Sequence, residues 1–125
     1  MTAKFFENLA DIAPLHVILG NHDLNLRNPG RIDAITPIVE ALDHKDIHFH
    51  KFSKEVDLGN GFVLNVLSIV DEDKWIDPTD ESKVNIAMFH GSVAGVTTDT
   101  GWIMEHGDIN IQQFKPFDYV LLGDI

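Results

Sequence analysis

The sequence predicts an α/β fold, and three observations carry that expectation. Apolar residues recur at helical spacing in residues 4–12 and 31–42, whereas from Asp46 onward the period falls to two. Helix, strand, helix and then several strands is the order of an α/β sandwich, with mixed sheets and flanking helices, rather than of an all-α or all-β domain. Three apolar runs, at 17–19, 84–89 and 119–122, each end at or beside a glycine with a polar side chain next to it. Strand ends of that kind line ligand crevices in open α/β sheets, and glycine lets the chain approach a bound group closely.

In chain order, Phe5, Leu9 and Ile12 stand at roughly helical spacing in a helix that Pro14 ends, and a strand over 16–19 follows. Residues 25–30, with Arg27, Asn28 and Pro29, read as a polar loop. Ile32, Ile35, Ile38, Val39 and Leu42 form the apolar face of an amphipathic helix over 31–42, with Pro37 inside it expected to kink or shorten it. Residues 47–52 alternate apolar with polar, as a half-exposed strand does. Segments 55–58 and 62–69, joined through Gly59-Asn60-Gly61, read as a hairpin. The acidic stretch 71–83 is expected to be a surface loop. After the 84–89 strand, residues 97–108 are irregular, with Trp102, Ile103 and Met104 as anchors, and a short helix near 111–114 leads through Pro116 into the last strand. No repeat, low-complexity tract or interdomain linker interrupts the chain.

Composition bounds the function. A chain of 125 residues is long enough for one domain with a real core. It has no cysteine, hence no disulfide and no thiolate metal site. No stretch is long and apolar enough to span a bilayer, and no signal-peptide pattern opens the sequence, so a cytoplasmic location is expected. The net charge of −11 argues against broad nucleic-acid binding by this chain alone. Bound divalent cations would offset part of that charge locally, and a partner subunit could supply further phosphate contacts.

The chemistry concentrates in Gly20-Asn21-His22-Asp23, directly behind Val17-Ile18-Leu19. An amide oxygen, an imidazole and a carboxylate on one tight turn are what a hydrolytic metal centre needs: a hard oxygen ligand, a proton donor and a group that orients the donor. His90-Gly91 ends the second apolar run and Gly123-Asp124 the third. These segments resemble consecutive motifs of the calcineurin-like metallophosphoesterases. Their order and spacing are most similar to the DNA-repair exonuclease branch, which includes the nuclease subunits of the bacterial SbcCD complex and of phage recombination endonucleases.

The resemblance implies a partial metallophosphoesterase-type α/β sandwich. It implies phosphodiester hydrolysis on DNA by two divalent ions, manganese or alternatively magnesium, which activate water for in-line attack. Asn21, His90 and Asp124 would be metal ligands; His22 would protonate the leaving oxygen and Asp23 would orient it. The implied partners are DNA and an SMC-like ATPase subunit, with a homodimer as a further arrangement of the full-length protein. The family's Asp-x-His and Gly-Asp-x-x-Asp motifs do not occur, and the histidine that would follow the last motif would fall past Ile125. Residues 1–125 are therefore expected to form a single incomplete catalytic domain that is inactive, or nearly so, by itself. Asp124 departs from the histidine most cellular members carry, a carboxylate that suits hard divalent ions.

Other residues have simpler readings. His48 and His50 share a strand face and His44 lies four before His48, but further zinc ligands are not evident, and a solvated strand face explains them. His16 and His106 are expected to be structural or exposed. The acidic cluster of Asp71, Glu72, Asp73, Asp77, Asp80 and Glu81 lacks the alternating ligands and central glycine of a calcium loop. Arg27, Arg31 and Lys74 are candidate phosphate contacts. Two other functions fit the same sequence: a phosphatase or nucleotide phosphodiesterase of small substrates, and a non-catalytic remnant that binds a partner.

Overall fold

The computed structural model describes residues 1–24, 28 and 31–124. The fold is α/β with mixed sheets and two helices, as the sequence predicts, and the chain divides into two compact units, Met1–Lys51 and Phe52–Ile125. No helix among the described residues is long and apolar enough to cross a membrane.

In the first unit, α1 spans Thr2–Ala10 and ends four residues before Pro14. Its only fully buried residue is Ala10, whereas Phe5, Leu9 and Ile12 are exposed. Ile12 lies past the helix end, so the expected apolar stripe is not one helical face. Strand β1 (Leu15–Ile18) pairs parallel with β2 (Ile47–His50), Leu15 opposite Ile47 and Ile18 opposite His50. The connection between them contains α2 (Thr36–Leu42), the crossover that parallel strands require.

The sequence places α2 over 31–42, but it starts only at Thr36. Pro37 falls in its first turn, where a missing N–H leaves no bond unmade. The start is fixed by Asp33, a buried carboxylate two residues before the N-cap. Its Oδ1 accepts the N–H groups of Ile35 (2.9 Å) and Thr36 (2.6 Å), and its Oδ2 accepts the Thr36 hydroxyl (2.7 Å). Lys51 brings its Nζ to 3.1 Å from the same oxygen. At the far end, Asp43 adopts φ 43°, a left-handed conformation that stops the helix.

In the second unit, β3 (Lys54–Gly59), β4 (Phe62–Val66), β5 (Val84–His90) and β8 (Tyr119–Gly123) form a four-stranded sheet in the order β3-β4-β5-β8. The β3–β4 pair is the expected hairpin, turned by Gly59, Asn60 and Gly61, all at positive φ; the other two pairings are parallel. A separate pair, β6 (Val93–Ala94) and β7 (Ile109–Asn110), follows β5. Burial alternates along β5, and Ala87 and Phe89 face a core completed by Leu67, Val93, Ile109 and Phe114.

Two expectations for connecting segments need correction. The acidic loop is not wholly superficial, because Trp75 docks on this core with its ring edge-on to Phe89 at 5.2 Å. Trp102 and Ile103, expected as anchors, are exposed; a backbone bridge between Thr97 and Ile103 shapes their loop instead.

The start of β8 is clamped to β5. The Asp118 carboxylate accepts the N–H of Asn85 (2.7 Å) and the Asn85 carbonyl accepts the N–H of Asp118 (2.9 Å). Among the described residues β8 is an edge strand, with Tyr119 and Leu121 exposed.

Burial alone would raise the Asp33 pKa. The Thr36 hydroxyl and N–H, Lys51 and the Ile35 N–H outweigh it and hold the carboxyl at about 2, below its ordinary 3.8. A depressed folded-state pKa stabilises above the ordinary value, and that stabilisation is lost as pH falls from about 4 towards 2. Denaturant titrations should therefore show the native chain losing about 2 kcal/mol more than Asp33→Asn across that window. Parallel losses in the two proteins would exclude this role for Asp33.

Candidate functional site

The sequence-predicted site residues fall at or directly after the ends of parallel strands in each unit. In the first unit, β1 runs through buried Leu19 into buried Gly20 and the turn that carries Asn21, His22 and Asp23. The turn is closed twice: the Asp23 N–H donates to the Gly20 carbonyl (3.1 Å), and the Gly20 N–H donates to Asp23 Oδ2 (2.8 Å). The Asp23 carbonyl accepts the N–H of Ala34 (3.1 Å), which ties the turn to the chain leading into α2.

Asp23 therefore braces the loop through its carboxylate and carbonyl. His22 is exposed, and no hydrogen bond joins its ring to Asp23 among the described residues. Asn21 is half-buried. The loop 25–30 with Arg27 lies outside the described residues, apart from Asn28, which is exposed.

In the second unit the parallel register sets His90, the last residue of β5, opposite Gly123, the last residue of β8. Asp124 is next along the chain. It is exposed and adopts φ 62°, a left-handed conformation that aspartate tolerates better than most residues. The structure thus brings His90 and Asp124 to neighbouring strand ends. Gly123 has a steric reason as well: the His90 imidazole, Nδ1 foremost, lies where a Cβ at position 123 would be. Only glycine leaves room for the ring in that place.

Within the second unit, an imidazole on His90 and a carboxylate on Asp124 are donor types that a borderline to hard divalent cation accepts. Among the described residues no three His, Asp or Glu side chains are grouped to hold a metal ion. The expected donor set has only two of those types, His90 and Asp124, beside its amide.

The remaining candidates are accounted for locally. His44 Nε2 bonds Asp11 Oδ1 at 3.0 Å and stands apart in role from His48 and His50. His48 is exposed, but His50 is buried, which corrects the expectation of a solvated face for both. His16 stacks on each of them, with ring centroids 4.9 Å from His48 and 5.2 Å from His50, and its Nδ1 is 2.9 Å from His50 Nε2. Spacing on one strand showed only half of this cluster; the other half comes from the β1–β2 register, which sets His16 opposite His48.

Asp71 and Asp80 act as local acceptors rather than as a calcium loop. Asp71 takes the Ser53 N–H and hydroxyl, and Asp80 takes both from Ser82, whose hydroxyl first and N–H second lower its pKa. Lys74 stands 3.8 Å from Asp73, while Arg31 and His106 are exposed.

No family model matches the chain. The chain is similar to an uncharacterized protein of Acanthamoeba polyphaga mimivirus, 35% identical over 136 residues, in an alignment covering 100% of this chain and 10% of that protein. It thus spans about a tenth of the length of the curated relative it matches.

The packing of His90 over Gly123 predicts a coupled pair. Gly123→Ala should destabilise the chain by about 1–3 kcal/mol through overpacking and shift the His90 ring resonances. His90→Ala should then relieve most of that cost, giving a double-mutant coupling of roughly 1 kcal/mol or more. Additive effects would mean that the ring is not what fills the space.

Proposed function

We propose that the chain is part of a metal-dependent phosphodiesterase of the metallophosphoesterase kind, acting on DNA as the nuclease component of a break-repair or recombination system. The observation that supports this reading best is the β5–β8 register, which sets His90 and Asp124 at adjacent strand ends with the imidazole seated on Gly123. The doubly closed Gly20–Asp23 turn, with Asn21 and His22 on it, supports the reading from the first unit.

In this reading Asn21, His90 and Asp124 hold a divalent cation, manganese in preference to magnesium. When bound, two such ions would supply Lewis-acid activation of water and neutralise charge at phosphorus. The chain's own groups do the rest. His22, exposed on its turn, is placed to donate a proton to the leaving oxygen. Asp23 keeps that turn closed through Oδ2 and has a second carboxylate oxygen with which to orient the imidazole once substrate is present. The net charge of −11 means that DNA must be held largely by other surfaces, which suits an ATPase partner of the SMC kind and a cytoplasmic setting.

Manganese titration monitored by thermal unfolding tests the ligand set. The melting temperature should rise by an amount equivalent to about 2.7 kcal/mol at a hundredfold excess over Kd. Asn21→Ala and His90→Ala should each abolish the rise, and a rise that survives both would rule out these ligands. Substrate class is tested on a complete protein containing this chain: linear duplex DNA should be cleaved in preference to a small chromogenic phosphodiester. The reverse preference would favour a small-substrate phosphodiesterase. The 125-residue chain alone should hydrolyse neither at a rate above background.

A further inference from the structure

A cavity of about 210 Å³ in the second unit, lined by Leu67, Trp75, Ile76, Asp77, Gln113 and Phe117, has no part in the hydrolytic reading. We propose that it receives the side chain of an arginine carried on a basic partner polypeptide. The inference is independent of the proposed hydrolysis and stands or falls by itself.

Four of the lining residues, Leu67, Trp75, Gln113 and Phe117, are held before any ligand arrives, while Ile76 and Asp77 are exposed at the rim. Trp75 donates its indole N–H to the Ser68 carbonyl (2.8 Å) and packs edge-on against Phe89, while Leu67 is buried in the core and Phe117 packs against it. Gln113 is held by a capping box, its Oε1 accepting the N–H of Asn110 at 3.0 Å. The rim therefore offers an oriented amide together with the Asp77 carboxylate, which has no hydrogen bond or ion pair among the described residues. The nearest lysine in sequence, Lys74, is directed to Asp73 instead.

Size and charge select the occupant. The cavity is smaller than the about 300–1,000 Å³ of pockets that enclose a whole drug-sized ligand, so it suits one side chain. A phosphate-bearing ligand would meet Asp71, Glu72, Asp73, Asp77, Asp80 and Glu81 on the adjoining segment, within a chain of net charge −11. An uncharged apolar side chain would cover Asp77 without pairing it, which is costly for a carboxylate. A guanidinium answers both conditions: it forks onto a carboxylate, its flat face stacks on indole and phenyl rings, and its aliphatic stem packs along Leu67 and Ile76.

The test is a nitrogen–proton NMR titration of the full chain at low salt with N-acetyl-arginine methylamide, against the citrulline analogue, its uncharged near-isostere. The arginine probe should shift the Trp75 indole and Gln113 side-chain resonances saturably and bind about tenfold more tightly than citrulline. Asp77→Asn should bring arginine down to the citrulline level. Asp73→Asn, an equally acidic position outside the cavity, should change affinity by less than about twofold. Non-saturating shifts, equal binding of the two probes, or equal losses in the two variants would each overturn the proposal; the last would reveal diffuse charge attraction only.

Discussion

Asp118 and Asn85 exchange two hydrogen bonds where β8 begins, one of them to a carboxylate, and the placement of the candidate ligands in the second unit follows from that clamp. Side chains alternate between sheet faces, so a slip of one residue would turn Gly123 away from His90 and put Leu122 beneath the imidazole. A leucine there would meet the ring. Asn85 is further secured by donating its side-chain amide to the carbonyls of Asp80 and Lys83 and by accepting from Asn65. These buried amides thus serve the strand ends several residues away. The polar network supports the register, and the register sets His90 opposite Gly123.

Much of this could be anticipated from the sequence where a local rule was strong. The period of two, the Gly59-Asn60-Gly61 turn and the apolar run ending at His90 all correspond to observed elements. Less was legible where the outcome depended on partners distant in sequence. Helical spacing suggested a longer α2, but Asp33 and Thr36 fix its start and Pro37 merely tolerates it. Trp75 lay in an acidic stretch and looked superficial, yet one hydrogen bond and one aromatic contact draw it into the core. The glycine before Asp124 could be picked out by its position, whereas its steric purpose required knowing which residue lies opposite it in the sheet.

Carboxylates in this chain differ sharply in what they do, although composition treats them alike. Asp33 is buried and satisfied by four donors, Asp23 and Asp118 tie backbone segments together, and Asp71 and Asp80 fix short loops. Those groups stabilise local geometry through charge-assisted bonds. Asp77, by contrast, has no hydrogen bond or ion pair among the described residues and lines a surface cavity. The negative charge is therefore divided between groups that hold the fold and groups that face solvent.

The outer edge of β8 has a practical consequence for the molecule in solution. A strand whose outer edge pairs with no other strand among the described residues, with Tyr119 and Leu121 exposed, is a template on which another strand can build. Mutual repulsion between chains of charge −11 opposes that growth, and added electrolyte weakens the repulsion without weakening the apolar attraction. Colloidal stability should accordingly be greatest in dilute buffer and decline as ionic strength rises, and light scattering would register the onset of edge-to-edge oligomers.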